Sequence, residues 1–261
     1  MGRLGRIGGV TIKEVTAKSI LTKSGIPGAD YCINPYVGCR HACRYCYASF
    51  MKRFTGHDES WGNFVDVKVN AAEALGKQLR RAKSGTVILS SVTDAYQPAE
   101  ARYRITRQCL RQLAESALSV SILTKSPLVL RDMDILKTMT GAEVGLSVTT
   151  DDDSIREAFE PGAPSVGLRI KALATLRENG IKTYAFIGPA LPMDPVKLAR
   201  AVAPHVSSVI IDTMNYKSRT AGLYRRLGLQ RWLTDEFAAD TVERLVEKLR
   251  EALGDAAVEV C

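Results

Sequence analysis

A parallel α/β architecture is the fold class this sequence predicts, on three observations. Short runs rich in β-branched and aromatic residues recur along its 261 residues. Each run ends at polar or glycine positions, and segments with helical spacing of apolar residues lie between the runs. Alternation of this kind makes a parallel sheet wrapped by helices. Counting one strand just before Cys39, about six βα units are present, fewer than the eight of a closed barrel.

The elements follow in order. Residues 1–9, with four Gly and two Arg, read as a mobile lead-in. Residues 10–31 show little periodicity. Strands are expected over residues 86–90, 120–124, 143–148, 181–187 and 206–211, and a helix is expected where Ile105, Cys109, Leu110 and Leu113 share one face, followed by Ala117. Asn179-Gly180 caps the end of another helix. The last helix carries Val242, Leu245, Val246, Leu249 and Leu253 on one face, with Asp235 and Glu236 nearby, and is expected to cover the sheet. No internal repeat, low-complexity tract or long linker divides the chain.

Composition narrows the function classes. The longest apolar stretches are strand length, so no membrane span is expected. Lys and Arg number 36 against 28 Asp and Glu, a net charge of +8. That surplus favours a polyanionic partner such as nucleic acid, and a dispersed basic surface serving solubility explains it equally well. Six Cys in a chain of this length are too sparse for a disulfide-stapled secreted scaffold. No signal peptide precedes them. Clustered thiols then read as metal ligands, and the cytoplasm is the expected compartment.

The run Cys39-Arg-His-Ala-Cys43-Arg-Tyr-Cys46 carries the chemistry. Three thiolates in a C-x3-C-x2-C spacing suit three corners of a 4Fe-4S cube and leave its fourth iron open. An open iron chelates a small molecule through an amine and a carboxylate, both of which S-adenosylmethionine (SAM) offers, and an electron from the cluster then breaks the sulfonium C–S bond. A second reading stays open, because His41 lies inside the run and completes a Cys3His zinc set with Cys39, Cys43 and Cys46. Zinc ligands more often come as paired short units separated by a longer loop.

Tyr45 holds the aromatic position before the third Cys, where a ring can cover adenine, and Tyr47 follows that Cys at once. Further along come Asn34-Pro35-Tyr36-Val37-Gly38, Thr93-Asp94-Ala-Tyr96-Gln97-Pro98-Ala-Glu100, Leu123-Thr124-Lys125-Ser126, Ser147-Val-Thr149-Thr150, and Glu160-Pro161-Gly-Ala-Pro164 with Arg169 five residues on. With this ordered set the chain closely resembles the spore photoproduct lyase-like, or DNA repair photolyase-like, branch of the radical SAM superfamily, over about residues 15–215.

The resemblance implies a partial (β/α)6 TIM-type barrel of the radical SAM kind over residues 31–261 with a C-terminal covering helix, and residues 1–30 as a lead-in packing on that barrel. It implies a 4Fe-4S cluster on Cys39, Cys43 and Cys46, SAM as second cofactor, and an external one-electron reductant of flavodoxin or ferredoxin type. The reaction implied is reductive cleavage of SAM to a 5′-deoxyadenosyl radical that abstracts hydrogen. Tyr45, Asp94, Lys125, Ser147 and Arg169 become the SAM-contact candidates. For Lys125 and Arg169 a structural ion pair is the alternative, and for Asp94 the ordering of a loop.

Tyr47, Ser91 and Tyr96 are the catalytic candidates. Spore photoproduct lyase itself places a hydrogen-donating Cys at the end of the strand after the cluster helix, with tyrosines beside the cluster motif. Here that position aligns with Ser91, whose O–H bond is too strong to give up a hydrogen atom easily. Two substrate classes therefore stand side by side: DNA or nucleotides, and a small metabolite or peptide. Cys109 reads as a core residue, Cys32 lies near the cluster strand, Cys261 is the last residue, and their spacing makes no second cluster. Gly38, and Gly188 with Pro189, are expected sites of close backbone approach to the cofactor, or simple turns.

Overall fold

In the computed structural model residues 4–7, 9–82, 84–215 and 217–261 are described. The chain forms two compact units, one of Met1–Ala42 and Tyr47–Val144, the other of Cys43–Cys46 and Gly145–Cys261. No helix among the described residues is long and apolar enough to cross a membrane.

The first unit contains β1 (Leu4–Ile7), β2 (Val10–Val15), β3 (Leu21–Lys23), β4 (Tyr31–Ile33), β5 (Tyr36–Val37), β6 (Phe64–Lys68), α1 (Ala71–Leu79), β7 (Thr86–Leu89), α2 (Pro98–Tyr103), α3 (Ile105–Ala114), β8 (Ser119–Thr124) and α4 (Met133–Leu136). Its strands make two groups, β1-β2-β6-β5 and β3-β4-β7-β8. In the second group β4, β7 and β8 run parallel, with Val87 opposite Val120. Period-two burial explains their formation: Val87, Leu89, Val120, Ile122 and Thr124 are buried, and the residues between them are half-buried. Helix α3 buries Ile105, Cys109, Leu110 and Leu113, the stripe expected from their spacing, and packs on α1. Burial, then the nearby charge of Glu100, pushes the Cys109 thiol up to about 12, so this residue is inert core.

The start of the chain differs from the expected mobile lead-in. Leu4–Ile7 pairs with Val10–Val15, and β2 in turn lies parallel to β6 with Ile12 opposite Val65. Residues 1–3 and 8 of that expectation lie outside the described residues. Leu4–Ile7 closes a local hairpin on β2, and β2 is itself held by β6 some fifty residues on, a pairing that carries no local signal.

A buried ionic network lies within this unit. Glu100 accepts hydrogen bonds from the Tyr36 hydroxyl and from Thr106 N (2.9 Å), and pairs with Arg131 Nη2 (2.6 Å). Asp132 pairs with Arg131 Nε (2.8 Å) and Arg107 Nη1 (2.7 Å). Both carboxylates are fully buried, and each has the partners that buried charge requires.

The division between units falls inside β9 (Glu143–Ser147). The second unit continues with α5 (Asp153–Phe159), α6 (Val166–Glu178), β10 (Lys182–Ile187), α7 (Pro195–Val202), β11 (Ser208–Ile211), α8 (Lys217–Arg226), α9 (Asp235–Leu253) and β12 (Val258–Val260). Strand order is β12-β11-β10-β9, with β10, β11 and β12 parallel. Side-chain caps start the helices: Asp152 accepts from Ser154 N (2.8 Å) at α5, and Asp194 accepts from Val196 N and Lys197 N (3.0 and 3.1 Å) at α7, whose first residue is Pro195. Helix α6 ends at Asn179, with Gly180 at φ +77° as the cap. Helix α9 buries Val242, Leu245, Val246 and Leu249, leaves Leu253 half-buried, and packs against α7 and β12.

Candidate active site

The first unit holds Cys39 in a loop whose backbone only certain residues allow. Gly38 has φ +85°, and a Cβ there would lie 2.4 Å from the Phe64 carbonyl oxygen. Thr93 Oγ1 (2.7 Å) and Gln97 Nε2 (2.9 Å) both donate to the Gly38 carbonyl, and Arg40 N donates to Gln97 Oε1 (3.0 Å). Ala42 is a non-glycine residue at φ +53°. Gly62 makes room for it, since a Cβ at position 62 would meet Ala42 Cβ at 2.5 Å. Strain of this kind persists only where the surroundings over-determine the backbone.

His41 is buried, and its Nε2 lies 3.1 Å from Asp94 Oδ2. Asp94 also accepts from Thr124 Oγ1 (2.6 Å), Lys125 N (2.8 Å) and Tyr96 N (2.8 Å). Burial alone would raise this carboxyl. The His41 charge and hydrogen bond, with those of Thr124 and Lys125, outweigh burial and hold it well below the usual carboxylate range. Four partners commit Asp94 to tying the Cys39 loop to the ends of β7 and β8, which differs from the SAM contact expected of it. The loop-ordering alternative describes its surroundings.

Beside this loop, Ser91 Oγ accepts from Cys32 Sγ (3.1 Å) and from Asn34 Nδ2 (3.3 Å). Asn34 Oδ1 accepts from Ser91 N (3.0 Å) and Val92 N (3.1 Å), and the Tyr47 hydroxyl donates to the Ser91 carbonyl. Cys32, Ser91 and Tyr47 are thus brought together. Tyr96, expected to face a substrate, is instead fully buried, and burial followed by the charges of Asp132 and Glu100 raises its phenol well above the ordinary value. Lys125 follows β8 directly and is half-buried.

The second unit fixes the Cys43–Cys46 segment through Arg44 N, which donates to Phe159 O (2.8 Å), and through Arg219 Nη1, which donates to Cys46 O (2.8 Å). Tyr45 packs in a cluster with Phe159, Leu191, Tyr224 and Trp232, and Cys43 lies against it. Its hydroxyl donates to Glu160, which also accepts from Thr149 Oγ1 (3.0 Å) and pairs with Arg169 Nη2 (2.5 Å). Burial first, then the charges of Cys43 and Glu160, raise the Tyr45 phenol well above its ordinary value. Arg169 is fully buried and also donates to Pro164 O and Ser147 O (3.0 Å each). Its charge goes to Glu160, so the structural ion pair describes its position, and it touches Ser147 only through the backbone. Ser147 ends β9 and is buried. Gly188 is close-packed against its own unit: a Cβ there would meet the Phe186 ring at 2.3 Å, so protein packing rather than a cofactor explains the glycine.

Among the described residues no three His, Cys, Asp or Glu side chains stand already gathered as a metal site. None of the six cysteines is in a disulfide, so three thiols on one short run remain chemically fit for iron. Asn34, Gln97 and Glu160 organise these surroundings and had been given no role from sequence. Their signal is membership of the ordered motifs, each as a polar residue directly before a proline. Gly62 had no signal, because its partner Ala42 lies far from it in the chain.

A family model described as the radical SAM superfamily matches residues 33–198. An uncharacterized protein of Methanocaldococcus jannaschii is 40% identical over 212 residues, covering 80% of each chain. A radical SAM Nalpha-GlyT isomerase of Pseudomonas phage M6 is 28% identical over 160 residues, 60% of this chain and 32% of that one. A spore photoproduct lyase mutant with bound AdoMet and dinucleoside spore photoproduct superposes with a TM-score of 0.70 at 14% identity, over 95% of this chain and 80% of that one. Likeness of that extent shows the fold: the α/β class with parallel strands, of the partial TIM-barrel type, is shared with that structure.

Proposed function

This chain belongs to the radical SAM superfamily of enzymes, and on that premise we propose that it cleaves SAM at a 4Fe-4S cluster on Cys39, Cys43 and Cys46 to abstract hydrogen from a DNA or nucleotide substrate. The observation that carries the reading is the Cys39 loop, whose φ +85° glycine and φ +53° alanine are held by Thr93, Gln97, the His41–Asp94 pair and Gly62. A non-glycine residue held in the left-handed region between two of the cysteines supports a role that depends on where their thiols sit. When bound, the cluster with SAM supplies an electron to the sulfonium and so a 5′-deoxyadenosyl radical.

The chain's own residues do the rest. The three cysteines bind as thiolates. Lys125 and Ser147, each at the end of a strand, are assigned to the methionine carboxylate of SAM, and Arg169 acts as a positioning residue through the Ser147 carbonyl. Tyr45, anchored by its hydroxyl on Glu160, offers its ring to the adenine. Tyr47 and Ser91 stand together as the groups beside the substrate radical. An external one-electron reductant of flavodoxin or ferredoxin type, and a cytoplasmic setting that keeps the thiols reduced, complete the proposal. The net charge of +8 supports a nucleic-acid substrate. Ser91 in the expected donor position favours the second reading, a small metabolite or peptide.

The test is anaerobic reconstitution with iron and sulfide, reduction with dithionite, and chromatography for 5′-deoxyadenosine, with Cys43→Ala alongside. Cleavage present in the native chain and lost in the variant is the expected result. A colourless, zinc-containing protein inert toward SAM would overturn it in favour of the Cys3His set.

A further inference from the structure

The residues directly after the Cys run have a composition that neither the cluster nor the interior uses. Between Tyr47 and Asp58 there is no acidic residue, while Tyr47, Phe50 and Phe54 flank the adjacent pair Lys52 and Arg53. Tyr47–Phe54 fold as a 3-10 helix. Its rings face outward: Phe54 is 73% exposed, Tyr47 45% and Phe50 37%. A single exposed ring is ordinary, whereas grouped exposed aromatics mark an interaction site.

The geometry narrows the partner. The Phe50 and Phe54 centroids are 6.4 Å apart with the rings at 87°, so they meet edge to face and do not stack on one another. Both rings remain open to solvent, Phe54 the more so, and an exposed ring can receive a flat π-system. The Arg53 guanidinium carbon lies 5.8 Å from both centroids, which places one cation between the two rings. Flat faces with an anion between them are what a nucleic acid strand presents, as bases joined by phosphate. Bases in a duplex have their faces covered by neighbours, so the matching form is unpaired. The net charge of +8 complements such a strand.

We propose that the Tyr47–Phe54 helix is a stacking platform for unpaired bases of a nucleic acid strand, with Phe50 and Phe54 each taking a base face and Arg53 and Lys52 taking phosphate. The inference rests on the nucleic-acid reading of the substrate. It adds the form in which the substrate arrives, unstacked, and the residues that grip it on the helix directly following Cys46.

Fluorescence anisotropy of the cluster-reconstituted enzyme with a labelled oligothymidylate, and with a duplex of the same length, tests this. The single strand should bind more tightly than the duplex. Phe50→Ala and Phe54→Ala should each weaken it about tenfold, and Phe54→Tyr should restore the loss, as expected of base stacking. Arg53→Gln should flatten the salt dependence by about one phosphate contact. Substrate-independent SAM cleavage equal to that of the native chain shows that each variant keeps its fold. Tight binding that the Phe variants leave unchanged, or equal affinity for the duplex, overturns the platform while the nucleic-acid reading stands. No binding of either probe at low salt overturns both.

Discussion

Gly38→Ala is the perturbation whose size the structure sets most directly. Two costs arise. At φ +85° a residue with a Cβ enters the left-handed region, which costs about 1.5 kcal/mol. That Cβ would also stand 2.4 Å from the Phe64 carbonyl oxygen, backbone against backbone, so the Cys39 loop or β6 must shift. Overpacking of this sort adds about 2 kcal/mol. The sum, about 3.5 kcal/mol, lowers Tm by roughly 7–14 °C for a chain of this size. Gly28→Ala isolates the first cost, because Gly28 has φ +76° and nothing within 4 Å of its would-be Cβ. It should lose only about 3–6 °C. Circular dichroism melts give the two shifts, and iron bound per chain after reconstitution gives the consequence: Gly38→Ala should bind little, since its neighbour Cys39 moves with the loop, while Gly28→Ala binds as the native chain does. If the two variants melt together and hold equal iron, the contact with Phe64 does not position the Cys39 loop.

Two further outcomes follow from the buried carboxylates. Asp94 releases its proton more readily folded than unfolded, so its contribution is fully present above the ordinary carboxylate pKa of about 4 and fades as pH falls below it. Asp94→Asn should therefore lower the urea midpoint at pH 7 and show a shallower further loss than the native chain on acidification; parallel acid limbs would contradict the assignment. Glu160→Gln leaves the fully buried Arg169 guanidinium without its counter-charge and should cost about 3–5 kcal/mol. Urea unfolding checks it, and a loss under 1 kcal/mol would show that the pair is not what seats Tyr45 and Ser147.

Most local signals in this chain read correctly, the β1–β2 hairpin excepted, and long-range pairings carried no signal to read. Periodicities of two and 3.6 residues that each segment carries by itself place these strands and helices, and β7, β8, β9, β10 and β11 begin and end within two residues of the expected runs. The Cys run was equally local, its three thiols and Tyr45 lying between residues 39 and 46, and it pointed to the superfamily to which the chain belongs. Strand-end positions of Ser91, Asp94, Lys125 and Ser147 followed from the same alternation.

What each of those side chains touches was decided by the tertiary structure alone. Asp94 and Arg169 looked alike from sequence, each a charge at a strand or helix end suited to a cofactor; folding gave one to His41 and the other to Glu160. Cys32 meets Ser91 across 59 positions, and Tyr45 meets Glu160 across 115. Hydrogen bonds and ion pairs are selected by which groups arrive together once water is excluded, and the penalty for a buried group without a partner operates only then. The amino-acid order by itself therefore determined the class of fold, the family and the three-cysteine run, whereas the packed interior decided which partners its polar residues meet.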